Sequence, residues 1–300
     1  EVDAVSGATM SSNGIKAAVR DALAKADDTI PGSGTETDPF VISSAVQLAS
    51  FAEKVDAGET EYVSAYAVLG ADVDLAGIGS FNPIGQEGKT NSNAGRLFAG
   101  NFDGRGHTIS NMTIEASFDD EANVGLFSSL ADTARISNMR LENVSIDVTE
   151  TGGFANVRAG GIAGDTAKTS GTRAAIIDGC FVNGNITVHA ADGQGFAGGI
   201  LGRAFTKSAV INCVVDAEVS AVTVGGWNTA YAGGIAGSSG ANAVMANNAA
   251  FGFAYAENLS GGSDAYAGGI AGIIDFMPIQ QYIDALTSLA AQRQDVAAQI

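Results

Sequence analysis

Ala159-Gly160-Gly161-Ile162-Ala163-Gly164 recurs as Ala197-Gly198-Gly199-Ile200-Leu201-Gly202, then from Ala232 to Gly237, and again from Ala267 to Gly272. Successive copies start 38, 35 and 35 residues apart. Self-similarity at a period of this size marks a repeat architecture, in which one unit buries its apolar side only by stacking on the next. A degenerate copy, Val124-Gly125-Leu126-Phe127, stands about one period upstream.

A second register runs between these copies. Ile109-Ser110-Asn111-Met112 returns unchanged as Ile136-Ser137-Asn138-Met139, with related segments at Ile177-Asp178-Gly179-Cys180 and Val210-Ile211-Asn212-Cys213. Alternating apolar residues follow, such as Val182, Ile186 and Val188, and read as strand. Each period then holds about three short strands separated by Gly, Asn, Asp and Ser turns. The expected fold is mainly β: a right-handed parallel β-solenoid in which each Gly-Gly pair bends the chain and the following Ile points inward. A nucleotide loop is the rival reading of the glycines. It fails, because the G-x-G-x-x-G spacing is missing and one cofactor does not need four copies. Gly85-Gln86-Glu87-Gly88-Lys89-Thr90 fails as a P-loop because Pro83 stands where the first Gly belongs.

Composition agrees. Gly accounts for 40 of 300 residues and charged residues for only 16%, which suits tight corners around a stacked apolar interior. The net charge of −18 repels phosphate backbones and anionic lipid, so neither nucleic acid nor a membrane surface is an expected partner. No apolar run is long enough for a membrane span. Cys180 and Cys213 form no C-x-x-C pair and no Cys/His cluster, so no metal site is expected. Together with Met139 and Ala249 they fall at matching repeat positions. An interior ladder of soft side chains is the favoured reading, and a disulfide between neighbouring coils the alternative. Beginning at Glu1 without an initiator Met, the chain reads as a segment of a longer protein.

Open β-stacks need covered ends. Ser44-Ala45-Val46-Gln47 opens a capped helix over about 44–57, with Leu48, Phe51, Ala52 and Val55 on one face as a lid. Pro278 starts a second helix within 276–300, with Ile279, Ile283, Leu286 and Ala290 on one stripe.

Several segments in succession resemble the GLUG-type repeat region of bacterial surface proteins. They are Gly34-Thr35-Glu36-Thr37-Asp38-Pro39-Phe40-Val41-Ile42-Ser43, Leu69 to Leu75, Phe81-Asn82-Pro83-Ile84-Gly85, Phe98 to Ile109, and the Gly-Gly-Ile-Ala-Gly copies. The resemblance covers residues 34 to 275, within a domain set at 29–275. It implies an exported β-helical module for display or adhesion, and it carries no catalytic residues.

Residues 1–28 differ in character. Asp3-Ala4-Val5-Ser6-Gly7-Ala8-Thr9 precedes a capped amphipathic helix in which Ile15, Ala18, Val19, Ala22 and Leu23 follow Ser12 and Asn13. This stretch resembles the end of an FMN-binding domain of extracytoplasmic electron-transfer proteins. In that family the Thr matching Thr9 carries FMN through a phosphoester, attached by a separate flavin transferase. The resemblance implies covalent FMN on Thr9, with Asp3, Ser6, Gly7 and Ala8 forming the attachment loop. A helix N-terminus beside the phosphate would favour the anion.

Two further groups are candidates for chemistry. Asp103, Arg105 and His107 stand together, and Asp119, Asp120 and Glu121 form an acidic run, but the first reads better as a turn and the second as a solvated loop between repeats. The segment alone is therefore expected not to be an enzyme. Phe154, Phe196, Trp227 and Tyr231 precede the Gly-Gly steps and offer a sugar-stacking strip as the minority reading. The whole reads as a segment of an exported bacterial surface protein, extracellular or at the cell surface, that joins a flavin attachment site to a solenoid. The alternative is a pure adhesin or glycan-binding stalk, with a surface glycan or protein as ligand and an inert flavin motif.

Overall fold

A computed structural model describes residues 28–85, 96–166, 174–205, 208–225, 228–240, 243–260 and 263–274. Among these residues the chain winds into four parallel sheets, here A to D, of seven, eight, five and five strands. One turn of the winding takes Arg135–Ser137 in sheet A, Arg140–Glu150 in B, Val157–Gly160 in D and Ala163–Thr166 in C. Each strand pairs in parallel with its equivalents one coil earlier and one coil later. The fold is a parallel β-solenoid. A coil holds four strands rather than the expected three, because each Gly-Gly pair separates two strands instead of ending one.

The six-residue repeats stack in register: Ala159 lies beside Ala197, Ala197 beside Ala232, and Ala232 beside Ala267. The degenerate copy joins them, with Val124 beside Ala159 and Phe127 beside Ala163, so its turn is one residue shorter. Ile162, Ile200 and Ile235 are fully buried, as the bend requires. The backbones of neighbouring strands approach closely enough here to forbid a side chain. A Cβ on Gly202 would lie 2.6 Å from both Ala159 N and Gly164 O.

The second register needs correction. Ile136 stacks on Ile177 in sheet A, and Ile177 on Val210, as expected. Ile109 instead stacks on Leu141 in sheet B, so the identical tetrapeptides occupy different corners of the coil. What they share is a strand ending in an asparagine in the left-handed region: φ is +58° at Asn111 and +52° at Asn138. Asparagine tolerates that conformation, and its amide bonds to the next corner along the axis. Asn212 Nδ2 donates to Asp178 at 2.7 Å, and Asn247 Nδ2 to Asn212 at 2.7 Å.

Helix α1 (Ala45–Asp56) covers the first coil, with Ser44 Oγ accepting from Gln47 N and Gln47 Oε1 accepting from Ser43 N. Its buried Phe51 meets Phe40, Tyr62, Phe98 and Phe102 at ring-centroid distances of 5.9 to 6.4 Å. A short helix α2 (Thr60–Val63) follows. The second expected helix, over 276–300 with Pro278, Ile279, Ile283, Leu286 and Ala290, lies outside the described residues. Along the axis the core lightens. The sheet C ladder runs Phe127, Ala163, Leu201, Ala236, Ala271.

Cys180 and Cys213 are buried free thiols on neighbouring coils, below Phe181 and Val214, which pair. A hydrogen bond with Cys213, and then burial, push the Cys180 thiol well above its ordinary value. The ladder includes the buried Met139 but not Ala249, which pairs with Val214 instead. Asn248 takes the place above Cys213 and accepts from its backbone N–H at 2.8 Å.

Two outcomes are expected. Iodoacetamide should leave native protein unmodified and alkylate both cysteines once denatured, as read by intact mass; a disulfide would leave the denatured protein unalkylated. Gly202→Ala should lose about 2 kcal/mol in urea denaturation because its new methyl meets fixed backbone. Gly77→Ala, where nothing stands within 4 Å, should be close to neutral.

Candidate functional site

Thr9 and its neighbours Asp3, Ser6, Gly7 and Ala8 lie outside the described residues, as does Trp227. The other candidates can be followed side chain by side chain. Asp103 accepts from Arg105 N at 2.8 Å and from Asn138 Nδ2 at 3.0 Å, and Arg105 itself has φ +51°. His107 Nδ1 lies 3.1 Å from Asp72, whose carboxyl is held below its ordinary range first by the backbone N–H of Thr108 and then by His107. These groups close turns. In the acidic run, Asp120 accepts from Glu121 N, and Glu121 reaches Arg158 at 3.6 Å. His189 sits near Asp147 at 3.9 Å and shares no partner with His107. Among the described residues no three His, Cys, Asp or Glu come together as metal ligands, and no helix is long and apolar enough to cross a membrane.

The aromatic candidates divide. Phe154 is 79% exposed at a loop tip with φ +59°. Phe196 and Tyr231 instead stack face to face at 4.8 Å and 9°, and Tyr231 stacks on Tyr266 at 5.6 Å and 9°. Their faces are used on each other along the solenoid axis, so this ladder presents edges and hydroxyls. It is a poor platform for a sugar ring.

The position just before each six-residue repeat therefore reads Asn123, Arg158, Phe196, Tyr231, Tyr266 through successive coils. The position just after reads Ser129, Asp165, Arg203, Ser238, Ile273. At the early coils these two ladders meet in a buried polar network. Arg203 grips Asp165 with two nitrogens at 3.2 and 2.5 Å, and Arg158 Nε lies 3.7 Å from the same carboxylate. Arg158 also donates to Asn123 at 3.1 Å, and Asn123 to Ser129 at 3.0 Å. Burial pushes the Asp165 carboxyl up, and the two guanidiniums pull it back. Burial lowers Arg158, opposed by Asp165 and Glu121. Beside the network Phe196, Arg203, Phe205, Tyr231 and Ser238 line a cleft of about 210 Å³. The Arg203 guanidinium is not free for an anion there, since it holds Asp165 and lies over the Phe205 ring at 4.8 Å.

The residue-by-residue reading missed this network. Its signal was present: Arg158 and Asp165 flank the first Gly-rich repeat, and Arg203 follows the second at the position matching Asp165. Arg203→Met should leave Asp165 buried with only the distant Arg158 and the backbone N–H of Thr166, and cost about 3 kcal/mol in urea denaturation. Arg203→Lys, which keeps the charge but loses the fork, should fall between the two.

Residues 1–24 match the FMN-binding domain family. Halomucin of Haloquadratum walsbyi is 30% identical over 124 residues, which is 39% of this chain and 1% of Halomucin, so the chain spans only a small fraction of that relative. The crystal structure of a Bacteroides ovatus protein, provisionally assigned as an immunoglobulin A1 protease, superposes with a TM-score of 0.51 at 23% identity. It covers 78% of this chain and 71% of that one. That likeness shows the shared fold, a parallel β-solenoid; the stretch that matches the FMN-binding domain family precedes it in the chain.

Proposed function

We propose that this chain joins a covalent FMN attachment site at Thr9 to a solenoid that spaces or displays it outside the cytoplasm, for one- or two-electron transfer. The observation that carries the reading is the family match over residues 1–24, which encloses Asp3 to Thr9 and the helix-forming stretch after it. The chemistry of those residues supports it. A Thr hydroxyl is a weak nucleophile, so a separate transferase must supply the base and the activated flavin nucleotide. Ser6, Gly7 and Ala8 are small enough to let the loop reach into such an enzyme. The flavin supplies the redox chemistry, and this chain supplies its tether.

The solenoid suits the second half of the role. A stack in which each coil binds only its neighbours is stiff along its axis and holds its two ends apart. The net charge of −18 keeps such a rod soluble and dispersed. The likeness to a provisional protease and to a stretch of Halomucin supports placement at an extracellular or bacterial cell surface. No enzymatic activity is assigned to the segment alone.

Coexpression with a flavin transferase should add the mass of one FMN less one water to the wild-type chain and none to Thr9→Ala, with flavin fluorescence following the same pattern in a denaturing gel. No adduct on either chain, in this segment or with native upstream sequence added, would remove the electron-transfer reading and leave a surface module.

A further inference from the structure

We propose that the outer face of sheet B is a binding groove for a neutral polysaccharide strand. The groove begins with a break in the strands. Asn143 has φ +55° and Gly184 φ +141°, and the pairing of Arg140–Glu150 with Phe181–Ala190 shifts between Leu141 and Val144. The sheet bends there. Two adjoining hollows of about 540 and 330 Å³ open on its outer side and share Ser145, Asn185, Glu218 and Phe253, so they form one trough.

The floor of the trough is two rows of stacked side chains. One runs Ser145, Asn185, Glu218, Phe253, and the next runs Asp147, Thr187, Ser220, Tyr255. Coils repeat at about 4.8 Å, so a long ligand lying along the axis meets a new amide, hydroxyl or carboxylate at each step. Among the described residues both rows end in an aromatic ring. Phe253 is 56% exposed and Tyr255 45%, in a surface whose preceding coils are polar. Unlike the Phe196–Tyr231–Tyr266 ladder, Phe253 lines the open hollows directly.

These features select a ligand by chemistry. It needs many hydroxyls for the amides and carboxylates, and an apolar face for Phe253, which is the surface of a pyranose ring. Asp147, Asp216 and Glu218 line the trough and no Lys or Arg does, so anionic polymers are repelled. Carboxylates accept strongly from sugar hydroxyls. A peptide adding as a strand has nothing to pair with, because the backbone groups of this face are engaged along the parallel ladder.

The test is affinity electrophoresis of the whole chain, carried on a Thr9→Ala background so that the flavin reading has no influence. Gels contain mannan, β-glucan, galactomannan or dextran, with alginate and polygalacturonate as anionic comparators. At least one neutral polysaccharide should retard the protein, and the anionic ones should not. Phe253→Ala, and separately the pair Asn185→Ala with Thr187→Ala, should each weaken retardation about tenfold, equivalent to about 1.4 kcal/mol, with an unchanged melting temperature. If one variant melts early, the other decides. No retardation in any neutral gel, equal retardation in anionic gels, or full retention by the variants would overturn the proposal.

Discussion

Parallel stacking in register sets the terms for everything else in this molecule. Each side chain sits about 4.8 Å from its equivalent in the next coil, so a position tolerates only what can live beside its own neighbour. Isoleucine, valine and alanine meet that condition in the core, as in the ladder Ile146, Ile186, Val219, Ala254. Asparagine meets it at the corners, because an amide is both donor and acceptor. Aromatic rings meet it by stacking. Like charges do not, and in the buried ladder just after the Gly-rich repeat Asp165 stacks beside Arg203 and not beside another Asp.

The same rule explains why the buried network is confined to the early coils. A buried carboxylate needs a full set of partners, and the Gly-rich turn brings two ladders together closely enough for Arg158, Arg203 and Asn123 to reach one site. Such a network contributes little net stability over an apolar core, but a shifted register would strand its charges. In the later coils the positions revert to Tyr, Ser and Ile, which need no such matching.

Function in a solenoid is left to the faces and the ends, since the interior is spent on stacking. Helix α1 closes one end with Phe51 as its central contact. The register shift in sheet B, with one left-handed asparagine and one glycine, lies beside the trough on its outer face.

The repeat itself was legible from residues alone, because a Gly-Gly-Ile step at a near-constant period has few physical explanations. So was α1, through Ser44, Gln47 and the apolar stripe. The likeness of residues 1–24 to the FMN-binding domain family is likewise a matter of local sequence. Tertiary structure decided what periodicity could not. Identical tetrapeptides at Ile109 and Ile136 fell on different sheets, because register depends on pairing across coils and not on local likeness. Four strands replaced three, because a Gly-Gly pair can sit between strands as easily as after one. Ala249 left the cysteine ladder by a single position. The Arg158–Asp165–Arg203 network and the sheet B trough were hidden for the same reason: their members lie a coil or more apart in sequence, and only the winding of the chain makes them neighbours.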